Sequence, residues 1–218
     1  MPAHELGKIE PKTLNQSKAK EAWDAGYHLG LFGSAGTGKT FLAMYLAFQS
    51  VFTKGDARKI YIVRSIVPTR DAGFLPGTIE EKFDPYTAPY RAIVNELFDD
   101  KQSYNKLTSS KRIEFLSTSF IRGLTLDNCI IIVDECQNLT FHEFDSIMTR
   151  IGVNTKIIFA GDFKQSDLIR QDDKNGILRF ISIIEQMKYF KLIEFNWSDI
   201  IRSDIVRDYI ITKEQMDE

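Results

Sequence analysis

Gly33-Ser34-Ala35-Gly36-Thr37-Gly38-Lys39-Thr40 decides the fold class of this chain. The stretch follows G-x-x-x-x-G-K-[ST], the pattern of a loop that wraps nucleotide phosphates. Its glycines let the backbone curl until its N–H groups point at phosphate oxygens. Lys39 brings a mobile positive charge for the β- and γ-phosphates, and the Thr40 hydroxyl is a ligand for Mg²⁺. The helix expected to begin there adds its positive end. Working outward, the apolar and aromatic run Tyr27–Phe32 leads in as a buried strand. Lys39–Phe52 leads out with apolar residues at helical spacing. A chance match in a structural loop is the competing reading, and the strand before and helix after speak against it.

The same alternation continues along the chain. β-rich runs stand at 27–32, 59–64, 115–120, 129–135, 156–162 and 191–195, several of them continuously apolar, as strands covered on both faces are. Helical stretches at 14–26, 39–53, roughly 85–99, 140–150 and 176–189 separate most of them. This predicts an α/β, three-layer P-loop fold with a mostly parallel central sheet. Residues 1–12, with Pro2, Gly7 and Pro11, read as a flexible tail before one domain over 13–218. Residues 65–115 break the rhythm with Pro68, Gly73, Pro76, Gly77, Pro85 and Pro89. Phe74, Phe83, Tyr86 and Tyr90 make this segment more aromatic than an idle loop, either as a satellite core or as a binding element.

Bulk properties narrow the function. The 218 residues carry a net charge of −2, so any nucleic-acid surface must be local. Arg64, Arg70, Arg122 and Arg150 are candidates for a backbone-tracking groove, or scattered surface charges. Cys129 and Cys136 are too far apart for C-x-x-C and read as reduced thiols; His4, His28 and His142 show no metal-ligand spacing. The sequence shows neither a leader pattern nor a run of about 18 apolar residues, so the expectation is a cytoplasmic protein without a membrane partner.

A second motif completes the phosphate chemistry. Cys129–Val133 is an apolar run ending in Asp134-Glu135. A carboxylate at a strand end beside a phosphate loop holds Mg²⁺ through its water shell, which is the role expected of Asp134. Glu135 is the expected general base toward the attacking water, and Gln137 a sensor of the γ-phosphate. The run 156–162 ends in Gly161-Asp162, with Gln165 as a further γ-phosphate contact; a turn with a helix cap is the plainer reading of both. Strand C-termini in such sheets converge on one crevice, so Gly33, Asp134 and Asp162 should lie together. Arg202 is the better candidate for charge on the γ-phosphate in the transition state, and Arg207 the poorer; a solvated helix face paired with acids is the alternative for both.

The ordered set GSAGTGKT, GFLPGTIEEKFDPY, FIRGLTLDNCIIIVDECQN, MTRIG, GDFKQSDL and DIIRSDIV resembles the PhoH-like ATPases over about residues 14–210. Its DE-x-Q and GD-x-x-Q elements are also similar to the first RecA-like lobe of superfamily-one helicases. The resemblance implies a RecA-like fold with ATP binding and hydrolysis. It implies adenine contact by Gln16, and coupling of the γ-phosphate to nucleic acid or a neighbouring subunit through Gln137 and Gln165. Arg202 falls on the family's motif arginine. Relatives that carry a nuclease domain act on RNA, and others form rings, so RNA or single-stranded DNA and a homo-oligomer are the expected partners. The chain departs from the family at Ser34 and Ile169, where proline is usual, at Cys136 in place of alanine, and at Ser203-Asp204 in place of His-Pro. A nucleotide-dependent binding module with little turnover is the alternative. A nucleoside kinase is another, weakened because only two cysteines are present where such kinases carry four that bind zinc.

Overall fold

The computed structural model describes residues 6–65, 79–162 and 171–217. Strands β1 (His28–Gly33), β2 (Lys59–Arg64), β3 (Ile113–Ser117), β4 (Cys129–Val133), β5 (Lys156–Gly161) and β6 (Phe190–Phe195) form one sheet in the order β3-β2-β4-β5-β1-β6. Every pairing is parallel, so the sheet is an α/β, RecA-like P-loop core as expected. Helices α1 (Leu14–Asp24), α2 (Lys39–Phe48), α3 (Ile79–Leu97), α4 (Ser103–Ser109), α5 (Phe141–Met148), α6 (Gln171–Gln186) and α7 (Asp204–Asp217) make the crossovers and flanks.

Alternation along the strands splits the core into two layers. In β4, Ile130 and Ile132 join the layer with α1, α2 and α3, while Ile131 and Val133 face the layer with α5 and α6. All five β4 residues are buried, which is why the strand reads as an unbroken apolar run. In the second layer Phe144 of α5 stacks on Phe180 of α6 at 4.0 Å between ring centroids, and Phe159 meets Phe180 edge-on. Each such side chain contributes about 1.5–3 kcal/mol by leaving water.

Several expectations shift. The strand read at 115–120 runs from Ile113 to Ser117, because Ser117 Oγ accepts from Ser119 N and starts a 3-10 turn over Thr118–Phe120. The helix read at 176–189 begins at Gln171 and ends at Gln186. The helix read at roughly 85–99 begins at Ile79 and ends at Leu97, with Pro85 and Pro89 inside α3. A proline removes one backbone hydrogen bond and crowds the preceding turn. Burial of Tyr90, Val94 and Leu97 against the sheet outweighs that cost. The stretch 6–12, read as part of a loose tail, lacks regular structure but is anchored: Leu6 and Ile9 pack on the core and Gly7 N donates to Leu97 O at 2.9 Å.

Register brings the chemistry to one edge. Phe32 pairs with Gly161 and Val133 with Phe159, so Gly33, Asp134 and Asp162 follow at the C-terminal ends of adjacent strands. Asp134 N continues the ladder to Val63 O at 3.0 Å.

Candidate active site

The phosphate loop joins β1 to α2 and keeps its shape through backbone conformations open to glycine. Gly33 lies at φ +121°, and a Cβ there would run into the Phe195 carbonyl. Gly38 lies at φ +81° and precedes α2, whose first turn carries Lys39 and Thr40. The Lys39 ammonium donates to the carbonyls of Gly33 and Ser34, both at 2.7 Å. Burial pushes its pKa down, and the carboxylates of Asp162, Asp134 and Glu135 pull it back up.

Asp134, 5% exposed, faces the loop. Its Oδ1 accepts from Thr40 Oγ1 at 2.8 Å and its Oδ2 from Tyr90 OH at 2.9 Å. Burial and the charge of Glu135 raise its pKa, opposed by those two hydroxyls. Thr40 and Asp134 together offer hard oxygen donors to one point. This suits Mg²⁺, which takes one or two protein oxygens and completes its shell with phosphate and water. Among the described residues no cluster of three or more His, Cys, Asp or Glu side chains is placed to hold a metal.

Glu135 sits at φ 51°, a left-handed backbone that costs a non-glycine residue about 1–3 kcal/mol and that concentrates at functional sites. Its Oε2 accepts from Gln137 Nε2 at 2.6 Å, while Gln137 Oε1 accepts from Asp162 N at 3.1 Å. Gln137 therefore ties the acid after β4 to the end of β5. Gly161 makes room for it, since a Cβ there would stand 2.6 Å from Gln137 Oε1.

A cavity of about 430 Å³ is lined by Ala35, Lys39, Thr40, Asp134, Glu135 and Asp162, among others. A second, about 240 Å³, lies between Ile9–Lys12, Gln16, Leu42 and Tyr45. Gly36, Gly38, Phe41, Glu96 and Arg202 border both, so the two are neighbours.

A profile of the family described as PhoH-like protein matches residues 8–213. The chain belongs to the PhoH-like family. It is 35% identical over 204 residues to the PhoH-like protein of Mycobacterium leprae, covering 93% of this chain and 57% of that one. It is 33% identical over 204 residues to the PhoH-like protein of Bacillus subtilis, covering 93% of this chain and 63% of that one. The chain thus spans about three-fifths of the length of these curated relatives. Among solved structures, the Sulfolobus solfataricus SWI2/SNF2 ATPase core in complex with dsDNA aligns with a TM-score of 0.44 at 12% identity, covering 89% of this chain and 46% of that one. The fold assignment rests on the sheet itself.

The remaining candidates of this PhoH-like chain fall as follows. Gln16, 6% exposed, borders the smaller cavity with its amide held: Oε1 accepts from Lys12 N at 2.8 Å and Nε2 donates to Thr37 O at 3.1 Å. Arg202 borders both cavities, and its Cγ lies 3.0 Å from where a Gly36 Cβ would be. The preceding residue is tethered to the loop, because Ile201 N donates to Gly36 O at 3.2 Å. Arg207 is exposed on α7 and borders neither cavity. Gln165, Arg70, Phe74 and Ile169 lie outside the described residues. Arg122 is exposed, whereas Arg64 lies over the Tyr86 ring at 5.8 Å. Both cysteines are buried thiols, and burial pushes each pKa up. No helix among the described residues is long and apolar enough to cross a membrane.

The contact of Tyr90 with Asp134 was not foreseen from the sequence. Its only signal was an aromatic within a proline-rich segment; the bond to Asp134 bridges 44 positions. Glu96, between the two cavities, and Glu214, against the loop, carried no signal at all.

Proposed function

We propose that this PhoH-like chain is a Mg²⁺-dependent ATPase that hydrolyses ATP to ADP and phosphate. The observation that carries the reading is the convergence of Lys39, Thr40, Asp134 and Glu135 on one cavity. The triphosphate takes the larger cavity and the nucleoside the smaller. Lys39 exchanges its two carbonyl partners for phosphate oxygens. Thr40 and Asp134 hold Mg²⁺, which when bound neutralises charge on the phosphates. Glu135 orients the attacking water and accepts its proton. Gln137 links that carboxylate to Asp162 and so reports the state of the γ-phosphate to β5. Arg202 supplies charge to the transition state from within the same chain, an effect worth about 10³–10⁵ in rate where it has been measured.

Adenine is favoured by the held amide of Gln16. An amide carries two donors and two acceptor sites, and one of each is used within the chain. The remaining donor and acceptor match adenine N7 and N6, the pairing glutamine makes with adenine elsewhere, whereas guanine offers only acceptors on that edge.

Nucleic acid, RNA or single-stranded DNA, is the proposed stimulant, and a homo-oligomer, in the form of a ring, the proposed assembly. Exposed Ile205, Tyr209 and Met216 on α7 support a surface that self-association would cover. The test is ATP turnover with and without RNA or single-stranded DNA, in wild type, Lys39→Ala and Glu135→Gln. Turnover lost in the first variant, and ATP bound but not released as product in the second, supports the reading. Equal turnover in all three rejects it. Tight ATP binding by wild type without turnover favours a nucleotide-dependent binding module instead. Sedimentation with ATP and Mg²⁺ showing monomer alone rejects the assembly.

A further inference from the structure

The ATPase reading leaves one buried acid unused. Glu214 is 3% exposed and is the one buried side chain among the described residues of α7, whose first six residues are all exposed. A carboxyl group in such a place is costly unless its oxygens are hydrogen-bonded. Its Oε2 accepts from Trp197 Nε1 at 2.7 Å and from Ser34 Oγ at 2.9 Å. Ser34 is the second residue of the phosphate loop.

Ser34 is bonded on every side. Its N–H donates to Phe195 O at 3.1 Å. Its carbonyl accepts from Lys39 Nζ at 2.7 Å and from Thr37 Oγ1 at 3.0 Å. The residue that carries the resting partner of the phosphate-binding lysine is therefore clamped by a carboxyl group 180 positions away. The clamp needs the Ser34 hydroxyl, which a proline at this position would lack.

We propose that Glu214 is a positioning residue for nucleotide binding, acting through the Ser34 hydroxyl to hold the phosphate loop in its binding-ready shape. It thereby makes the C-terminal helix part of the nucleotide site. The proposal rests on the ATPase reading. Loss of the clamp leaves the loop to be ordered by the incoming triphosphate, so the effect falls on binding and not on the chemical step.

The experiment is steady-state ATP turnover at saturating Mg²⁺ for wild type, Ser34→Ala, Glu214→Ala, Glu214→Gln and the Ser34→Ala/Glu214→Ala double variant, with circular dichroism on each. KM for ATP rises about tenfold in either alanine variant, the scale of one hydrogen bond to a charged group. kcat stays within about threefold, because the interaction is made in ground and transition states alike. The double variant is no worse than the singles, and Glu214→Gln, whose amide oxygen still accepts from Ser34, recovers most of the KM. A folded Glu214→Ala with unchanged KM overturns the proposal, as do single effects that multiply in the double variant. Where Glu214→Ala does not fold, Ser34→Ala and Glu214→Gln decide in the same way. Absence of ATP turnover in wild type overturns the ATPase reading, and this inference falls with it. Wild-type turnover with an unshifted KM in folded variants overturns this inference alone.

Discussion

Tyr90→Phe removes one atom from the site and isolates its contribution. The Tyr90 ring is fully buried and packs 6.0 Å from Phe115, and phenylalanine keeps that packing. What is lost is the hydroxyl that donates to Asp134 Oδ2 at 2.9 Å. A hydrogen bond to a charged group contributes about 1.5–3 kcal/mol. Here it both satisfies a buried oxygen and fixes the rotation of the carboxylate toward Thr40. Partners behind a metal ligand typically change metal affinity by about 10–100-fold, the same scale by a separate route. We therefore expect the Mg²⁺ concentration giving half-maximal ATP turnover to rise within that range, with kcat recovered at high Mg²⁺. The melting temperature should fall as well, since the oxygen is left short of a partner in a place water does not reach. The assay is ATP turnover against Mg²⁺ at fixed ATP, beside a thermal melt. A wild-type Mg²⁺ dependence in a folded Tyr90→Phe protein refutes the assignment of Tyr90 as the orienting group of Asp134.

Gly161→Ala should lower turnover while leaving ATP binding largely intact. Its Cβ would meet Gln137 Oε1 at 2.6 Å and Cys136 Sγ at 2.7 Å, driving Gln137 off Glu135; equal turnover in a folded variant counts against that link. Phe144→Ala should cost about 3–5 kcal/mol in a denaturant titration, as large-to-small changes of core aromatics do, because Phe144 is fully buried and contacts both Phe159 and Phe180. Stability should also fall with acid through His28. Its pKa is lowered by burial and by the Lys156 charge, and its Nδ1 accepts from Ile157 N at 3.2 Å. The folded protein keeps this ring neutral while the unfolded chain takes up a proton below about pH 6.5. The contribution is present above that pH and is lost as pH falls through it, and a melt series in which His28→Gln shows an unchanged acid slope would contradict it.

The strands were legible because the sheet is covered on both faces. Cys129–Val133 and Ile157–Ala160 are buried apolar runs, and the acids that follow the two strands mark the sheet edge that carries the phosphate loop. The edge strand β3 ends three residues before the end read for it, since that boundary is set by a serine cap and not by hydrophobicity. The helix read at roughly 85–99 already held Pro85 and Pro89, and α3 starts six residues earlier, at Ile79, because a proline suits a first helical turn and so reads as a helix start. α4 was missed for want of an apolar stripe, with Tyr104 and Leu107 as its buried hydrophobic residues. The phosphate loop and its acids could be named because their spacing is local chemistry. Tyr90 and Glu214 could not, because their bonds cross 44 and 180 positions and no residue pattern encodes such a distance.

The loop is held by segments from both sides of the sequence. Ser34 N meets Phe195 O, Gly36 O meets Ile201 N, and Thr37 O meets Gln16 Nε2. These partners come from the end of β6, from the tether that carries Arg202 and from α1. The backbone is thus fixed on the sides turned toward the protein, and its open side is the one bordered by Lys39 and Thr40 at the start of α2. A loop so braced presents its N–H groups without being reshaped by the ligand, and binding energy is not spent on ordering it. On the ATPase reading, the change left for a triphosphate to drive is small: one lysine leaves the carbonyls of Gly33 and Ser34. On that reading those carbonyls hold the ammonium at the loop until phosphate oxygens replace them, so the cation is stored beside the place where the proposed chemistry needs it.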